Sequence, residues 1–340
     1  MTLVKETAQA GKTAGDKKSE LSTRIRASFQ QLLAFASLLA LVLFFSVASA
    51  NFYQAANLSN ILLSTVVTGL LALGTTFVII TGGIDLSIGT GMTLCSVMTA
   101  VFMTQLGLPM ILGVLCGVVF GALMGGVNGL FVAVLKIPSF IATLAMMMVA
   151  AGLALVISGT KPIYTNEVAG FQKVFALGKS IPGLVIPNAV FILFAAAVIA
   201  GLILSKTVLG RYTYSIGSNE QATALSGVNV RKWTVLIYTL AGCFTGLAGV
   251  IATARLNSAQ PAGGMGLELQ AIAAVVIGGT SLQGGKGSII GTVIGALIMS
   301  VLTNGLSIMS IPQEWQQVAV GVVILLAVYL DMMRRRQSAK

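Results

Sequence analysis

Residues 61–91 read ILLSTVVTGLLALGTTFVIITGGIDLSIGTG, an apolar run broken by one short glycine-bearing stretch around Asp85. Widening the window changes little: from Ala27 to Leu135 the only charged side chain is Asp85. Water-soluble chains carry about 25% charged residues, so a segment of this length with one charge belongs in hydrocarbon. The whole chain agrees, with 56% hydrophobic and 9% charged residues among 340 and a mean hydropathy of +0.96. A soluble enzyme of two domains, which length alone would permit, is excluded. The reading is an all-α integral membrane protein.

A helix needs about 20 mostly apolar residues to cross a bilayer. Such runs fall at 27–49, 61–81, 86–106, 110–135, 139–158, 188–205, 234–254, 268–280, 287–306 and 312–330, giving about ten transmembrane helices. The eighth is short for a span and is expected to be broken or tilted. All seven prolines lie between these runs or at their borders, where a missing amide donor disrupts least. With the amino terminus in the cytoplasm and ten alternating helices, only Lys161, Lys173, Lys179 and Arg255 among the 20 Lys and Arg residues fall outside. That bias is the expected one for a cytoplasmic face, so both termini are placed in the cytoplasm. The chain then divides into a disordered basic tail over 1–26, a transmembrane domain over 27–331 and a second basic cytoplasmic tail over 332–340. Ala48-Ser49-Ala50 mimics a signal-peptidase site. The run before it is long and nine more follow, so an uncleaved anchor is expected.

Composition also removes chemistries. There is no histidine, so His-based metal sites and a Ser-His-Asp triad are absent, and no catalytic residue or metal ligand is expected. Cys95, Cys116 and Cys243 each sit inside an apolar run without CxxC spacing and read as buried thiols. The net charge of +11 gathers at the edges of apolar runs, as membrane topology requires, and does not indicate nucleic acid. Gly278 to Gly287 (GGTSLQGGKG) superficially resembles a phosphate loop. Its first glycine is replaced by Thr280, and Gly287 stands where Ser or Thr must hold magnesium.

Glycines recur every four residues at Gly113, Gly117, Gly121, Gly125 and Gly129, a stripe that lets a neighbouring helix backbone come close; Gly287, Gly291 and Gly295, and Gly242 with Gly246, form shorter ladders. In TGGIDLSIG, residues 81–89, Asp85 stands where an N-cap of the third helix belongs, near a membrane boundary; with Ser87 it serves either as a structural cap or in gating or subunit contact. Gly82, Gly83, Leu86, Gly89 and Gly91 match Gly278, Gly279, Leu282, Gly285 and Gly287, a possible internal repeat of the duplicated kind found in transporters. In the basic segment 206–233, Ser218 and Gln221 have capping-box spacing, 219–226 suits a short helix and Gly227 supplies its stop; flanked by Arg211, this is read as a docking element for a soluble partner. Arg255 through Gln260, Glu268 and Gln270 brings polar residues and a helix break to the outer face, the best candidate for the mouth of a pathway. Asn128, Thr143, Gln270 and Asn304 are the few polar side chains inside the helices that could touch hydroxyls, although helix–helix hydrogen bonds explain each as well.

These segments resemble the permease subunits of bacterial ABC importers for monosaccharides, the family of ribose, xylose and arabinose permeases. The resemblance rests on GIDLS at 83–87, Gly210-Arg211-Tyr212 with GSNE at 217–220, LSGVNV at 225–230, Ala254-Arg255-Leu256 with SAQP at 258–261, and AIAA at 271–274 leading to Gly285-Lys286-Gly287. One departure is Gln270, where the family usually has aspartate. The resemblance implies a homodimer in the bacterial inner membrane, in contact with lipid, that binds no cofactor itself. A cytoplasmic ABC ATPase would carry ATP and magnesium, and an external sugar-binding protein would deliver substrate. By the same resemblance Ser218, Asn219, Glu220, Gly227 and Asn229 would transmit ATP-driven closure. The alternative is an ion-coupled carrier, for which Asp85 and Glu268 are the available carboxylates.

Overall fold

The computed structural model describes residues 32–178 and 186–338. The expectations for residues 1–26 lie outside them. The chain folds as α1 (Leu32–Ala48), α2 (Ala55–Ile80), α3 (Ile88–Thr104), α4 (Met110–Ala133), α5 (Ser139–Ser158), α6 (Asn188–Lys206), α7 (Val208–Ser218), α8 (Glu220–Leu225), α9 (Val230–Leu256), α10 (Leu267–Ile277), α11 (Ile289–Ile308) and α12 (Gln313–Ser338). Two-residue strands β1 (Ile163–Tyr164) and β2 (Ser258–Ala259) pair antiparallel, Ile163 opposite Ala259.

Each of the ten apolar runs corresponds to one helix, α1–α6 and α9–α12. Among the described residues α2, α4, α5, α6, α9 and α11 are long and apolar enough to cross a membrane, with α1, α3 and α10 shorter apolar helices. The protein is therefore an integral membrane protein of helical type. Pro109, Pro138 and Pro187 precede the first residues of α4, α5 and α6, positions that waste no helix hydrogen bond. α10 has 11 residues, about 16 Å at the usual rise, roughly half a hydrocarbon core. The basic stretch after residue 332 continues α12 to Ser338.

Backbone contact organises the bundle. α4 and α9 make the most extensive helix–helix contact. A Cβ on Gly121 would lie 2.8 Å from the Gly246 Cα, and one on Gly125 2.9 Å from the Gly242 Cα. The sequence ladders are thus partners: Gly242 and Gly246 of α9 face Gly121 and Gly125 of α4, while Gly129 meets Val235. The five-glycine stripe is not one seam, however. Gly113 and Gly117 turn towards α3, where the Met103 and Thr99 side chains fill the space. A helix at 3.6 residues per turn drifts around its axis under a four-residue repeat, so the stripe passes from one neighbour to the next. On the other side Gly291 and Gly295 of α11 close onto the Gly278 and Ala274 carbonyls at α10.

Hydrogen bonds between helices are few and specific. Thr76 and Thr292 join α2 to α11 at 2.7 Å, and Ser96 and Thr253 join α3 to α9 at 2.6 Å. Such bonds contribute about 0.6 kcal/mol each in membranes, so close packing carries most of the cohesion. α2 is buried along most of its length, whereas α5 and α6 expose most of theirs.

Glycine in a helix costs about 1 kcal/mol relative to alanine, and only the contact it permits offsets that. Gly121→Leu is expected to cost at least about 3 kcal/mol by overpacking against backbone and to abolish a monodisperse membrane-extracted product. At Gly201 nothing lies within 4 Å of the point a Cβ would occupy. Gly201→Leu should therefore leave yield and thermal midpoint within a few degrees of the parent in size-exclusion and melting assays.

Candidate functional site

The α2–α3 loop is held by a compact polar knot. The Ser87 amide and hydroxyl both donate to Asp85 Oδ1, at 2.9 and 2.6 Å. Asn128 Nδ2 of α4 donates to Ser87 Oγ at 2.8 Å. From α5, Thr143 Oγ1 accepts the Leu86 amide at 3.1 Å, and Ser139 Oγ accepts the Ile84 amide at 3.2 Å. Asp85, Ser87, Asn128 and Thr143 are all buried, so four residues picked singly from the sequence form one cluster. Its detail corrects the expectation for Asp85. The N-cap position of α3 is Ser87, which makes no side-chain cap bond. Asp85 closes a turn just before the helix and lies inside the protein, 3% exposed. A buried loop must satisfy its amides from within, and here one carboxylate and two hydroxyls do so.

The start of α10 meets the start of α3. The Glu268 carboxylate lies against Gly89 in the first turn of α3 and accepts the Gly266 amide on both oxygens, at 2.9 and 3.0 Å. Thr93 Oγ1 donates to the Gly263 carbonyl at 2.6 Å. Two buried carboxylates, Asp85 and Glu268, thus flank the positive end of the α3 dipole. Beside this junction lies a cavity of about 180 Å³ lined by Thr93, Ser96, Arg255, Ser258, Gln260 and Leu267, among others. Gln260 Nε2 donates to Ser258 Oγ at 2.9 Å. From the segment 255–270, expected to form the mouth of a pathway, Arg255, Ser258, Gln260 and Leu267 line this cavity and Glu268 and Gln270 do not. Its α3 wall and the β1 strand that ties the 159–187 loop to β2 were not foreseen, because strand pairing over such a sequence separation leaves no local mark. Gln270 is half-buried on α10 and Asn304 half-buried on α11; neither lines a described cavity, and the Asn304 carbonyl oxygen has no hydrogen-bond partner.

At the opposite end, the basic segment 206–233 forms two helices where one short helix was expected. α7 begins at the Thr207 cap, whose Oγ1 accepts the Gly210 amide at 3.3 Å, a signal present in the sequence and overlooked. The cap of α8 is Asn219, accepting the Ala222 amide at 2.9 Å, not Ser218, which is the last residue of α7. Gly227 ends α8 with φ +84, and Asn229 caps α9 by accepting the Lys232 amide at 3.1 Å. Arg211 is exposed on α7. Glu220 stands 3.7 Å from Lys136 of the α4–α5 loop. Leu225 closes α8 at 89% exposure, an apolar tip that sequence reading missed.

This helix pair is seated on the rest of the bundle. Gly217 packs onto the Ile80 carbonyl at the end of α2. The Gly285 amide donates to the same carbonyl at 2.8 Å, and Tyr214 donates its hydroxyl proton to the Gly287 carbonyl at 2.9 Å. Tyr212 meets Trp233 edge-on at 4.9 Å. The two stretches matched as a repeat therefore lie side by side under α7. The left-handed glycines that directly follow the caps of α2 and α10 are Gly82 and Gly279, which shifts the structural register by one from the sequence match of Gly82 to Gly278, because one residue caps each helix before its turn.

Apolar helices, two interrupted starts meeting inside the bundle and a polar helix pair seated across one end describe a multi-pass helical membrane protein. Residues 57–328 match the family described as branched-chain amino acid transport system / permease component. The chain is 43% identical to the ribose import permease protein RbsC of Escherichia coli K12 over 297 residues, covering 87% of this chain and 91% of that one. It is 45% identical to RbsC of Bacillus subtilis 168 (91% and 94% covered) and 36% identical to the xylose transport system permease protein XylH of Haemophilus influenzae (90% and 96% covered). No solved structure matches it. The chain belongs to this family of import permeases.

Asp85→Ala strands the buried Ser87 amide, and a destabilisation of about 1–3 kcal/mol is expected, read as a lowered thermal midpoint of the purified protein. Asp85→Asn, which keeps an acceptor, should recover at least half of the loss.

Proposed function

We propose that this chain is the transmembrane permease subunit of an ATP-driven importer of a monosaccharide of the ribose type. Family membership supports the reading, and one local observation carries it: α7 and α8 form a capped, exposed helix pair whose rear face rests on the ends of α2 and of the α10–α11 loop. Force applied to α8 by a cytoplasmic ATPase reaches two bundle helices through Gly217, Gly285 and Tyr214. Arg211, Ser218, Asn219, Glu220, Gly227 and Asn229 build and present that lever, and Leu225 gives a docking protein an apolar anchor. ATP and magnesium reside on the ATPase subunit, and this chain takes no cofactor.

The assembly is a homodimer of permeases with that ATPase on the inside and a sugar-binding protein outside, in the bacterial inner membrane. The ten helices α1–α6 and α9–α12 cross the bilayer and both termini are cytoplasmic, which puts α7–α8 inside and the β1–β2 end outside. Sugar leaves the binding protein at the cavity beside Arg255, Ser258 and Gln260 and passes the junction of α3 with α10. Neutral hydroxyl and amide groups along this route, Thr93, Ser96 and Gln260 among them, suit a neutral solute held weakly; tight binding would retard release. Ion coupling is disfavoured because both carboxylates it needs are tied locally, Asp85 to Ser87 and Glu268 to Gly266.

Proteoliposomes holding the permease with its ATPase, supplied with ribose-loaded binding protein, are expected to accumulate ribose only when ATP is enclosed with the ATPase. Uphill accumulation by the permease alone, abolished by an ionophore, would establish the ion-coupled alternative. Asn219→Ala, which removes the cap of α8 at a cost of about 1 kcal/mol, should lower transport at least fivefold while ATP hydrolysis continues. Unchanged uptake would remove α8 from the coupling path.

A further inference from the structure

A second cavity, about 210 Å³, opens at the α7–α8 end between the α2–α3 loop, the α4–α5 loop, Glu220 of α8 and the first turns of α9. Its wall joins cations from two distant segments, Lys136 and Arg231, with the hydroxyl residues Thr81, Ser139 and Thr234. Glu220 is the one acidic residue on that wall. Its pairing with Lys136 at 3.7 Å is more than half exposed on both sides, so water screens it, and among the described residues Arg231 has no ion-pair partner. Two long helices, α5 and α9, begin on the wall at Ser139 and Val230 and turn their positive ends towards the cavity. Tyr238, also on the wall, is 1% exposed, and its hydroxyl has no hydrogen-bond partner of normal geometry. The Ser139 hydroxyl on the same wall is close enough to interact with it, without meeting the geometry of a full hydrogen bond. Set beside two cations and two helix starts, the Tyr238 hydroxyl has the makings of an oxyanion site. The residues before Lys136, Val134 and Leu135, are exposed and apolar, so acyl chains can lie beside the opening.

We propose that this cavity binds a phosphate group, carried by an anionic phospholipid or present as the free ion, with Lys136 and Arg231 as its charge partners. Binding competes with Glu220 for Lys136. Because Glu220 is the first residue of α8, an occupied site loosens that helix from the α4–α5 loop. This regulatory consequence rests on the coupling role given to α8; the binding itself does not.

The test uses the purified full-length chain in neutral detergent, without ATPase, binding protein or sugar, so its outcome is separate from that of the transport reading. Inorganic phosphate is titrated by calorimetry, and retention of phosphatidylglycerol against phosphatidylcholine is measured by native mass spectrometry. Saturable binding of phosphate, or preferential retention of phosphatidylglycerol, is expected; the first identifies the free ion as ligand, the second the lipid headgroup. Lys136→Gln/Arg231→Gln should weaken that binding at least tenfold, and the charge-preserving Lys136→Arg/Arg231→Lys should keep it within threefold. Should the neutral pair fail to fold, Arg231→Gln alone is expected to weaken binding at least threefold. Absence of saturable binding to either probe, or equal binding by the neutral variants, overturns the proposal. Failure of both probes together with protection of Lys136 from amine labelling by the ATPase assigns the cavity to a protein carboxylate instead.

Discussion

The bundle depends on how closely the α4 backbone approaches that of α9. In a bilayer, lipid tails are as apolar as leucine, so burying apolar side chains gives helices little reason to associate; close van der Waals packing and a few hydrogen bonds must supply it. Gly121 and Gly125 against Gly242 and Gly246 remove every side chain from the crossing. What stands at the two ends of α9 is positioned by that crossing. Arg231 and Tyr238 lie towards one end, and Arg255 and the β2 strand lie at the other. α4 contributes Asn128 to the knot around Asp85 from the same contact.

Once that frame is set, the interrupted helices become tolerable. Backbone that is not helical can exist at membrane depth only where protein or a water-filled cavity satisfies it. The α2–α3 loop meets this condition with Asp85, Ser139 and Thr143, and the approach to α10 meets it with Glu268 and Thr93. Short helices starting inside a bundle turn amides and dipole ends towards a pathway, an arrangement that recurs in transporters. Here the starts of α3 and α10 adjoin the cavity that also holds Gln260.

The α7–α8 pair belongs to a different mechanical regime. It is polar, capped at each helix start and exposed on its outer side, yet it touches the bundle through backbone: Gly217 on Ile80, Gly285 on the same carbonyl. Backbone contacts have few rotamers to absorb displacement, so the pair and the bundle are joined with little slack. The Lys136–Glu220 pair, exposed and screened, adds a weak side tie that can be exchanged for another anion.

The membrane class, the ten hydrophobic runs and most helix limits were legible in the sequence, because hydrocarbon thickness and the rise per residue tie span length directly to composition. The stop at Gly227 was legible for the same local reason, and GIDLS and SAQP lie in the loops that lead into α3 and α10. Tertiary structure alone decided that the glycine stripe serves two neighbours, that α7 is seated on the ends of α2 and of the α10–α11 loop, and that Asp85, Ser87, Asn128 and Thr143 share one knot while Gln270 and Asn304 stand apart. Those outcomes depend on which faces meet across tens of residues of chain. In an apolar helix every face looks alike to the sequence until a partner backbone selects one.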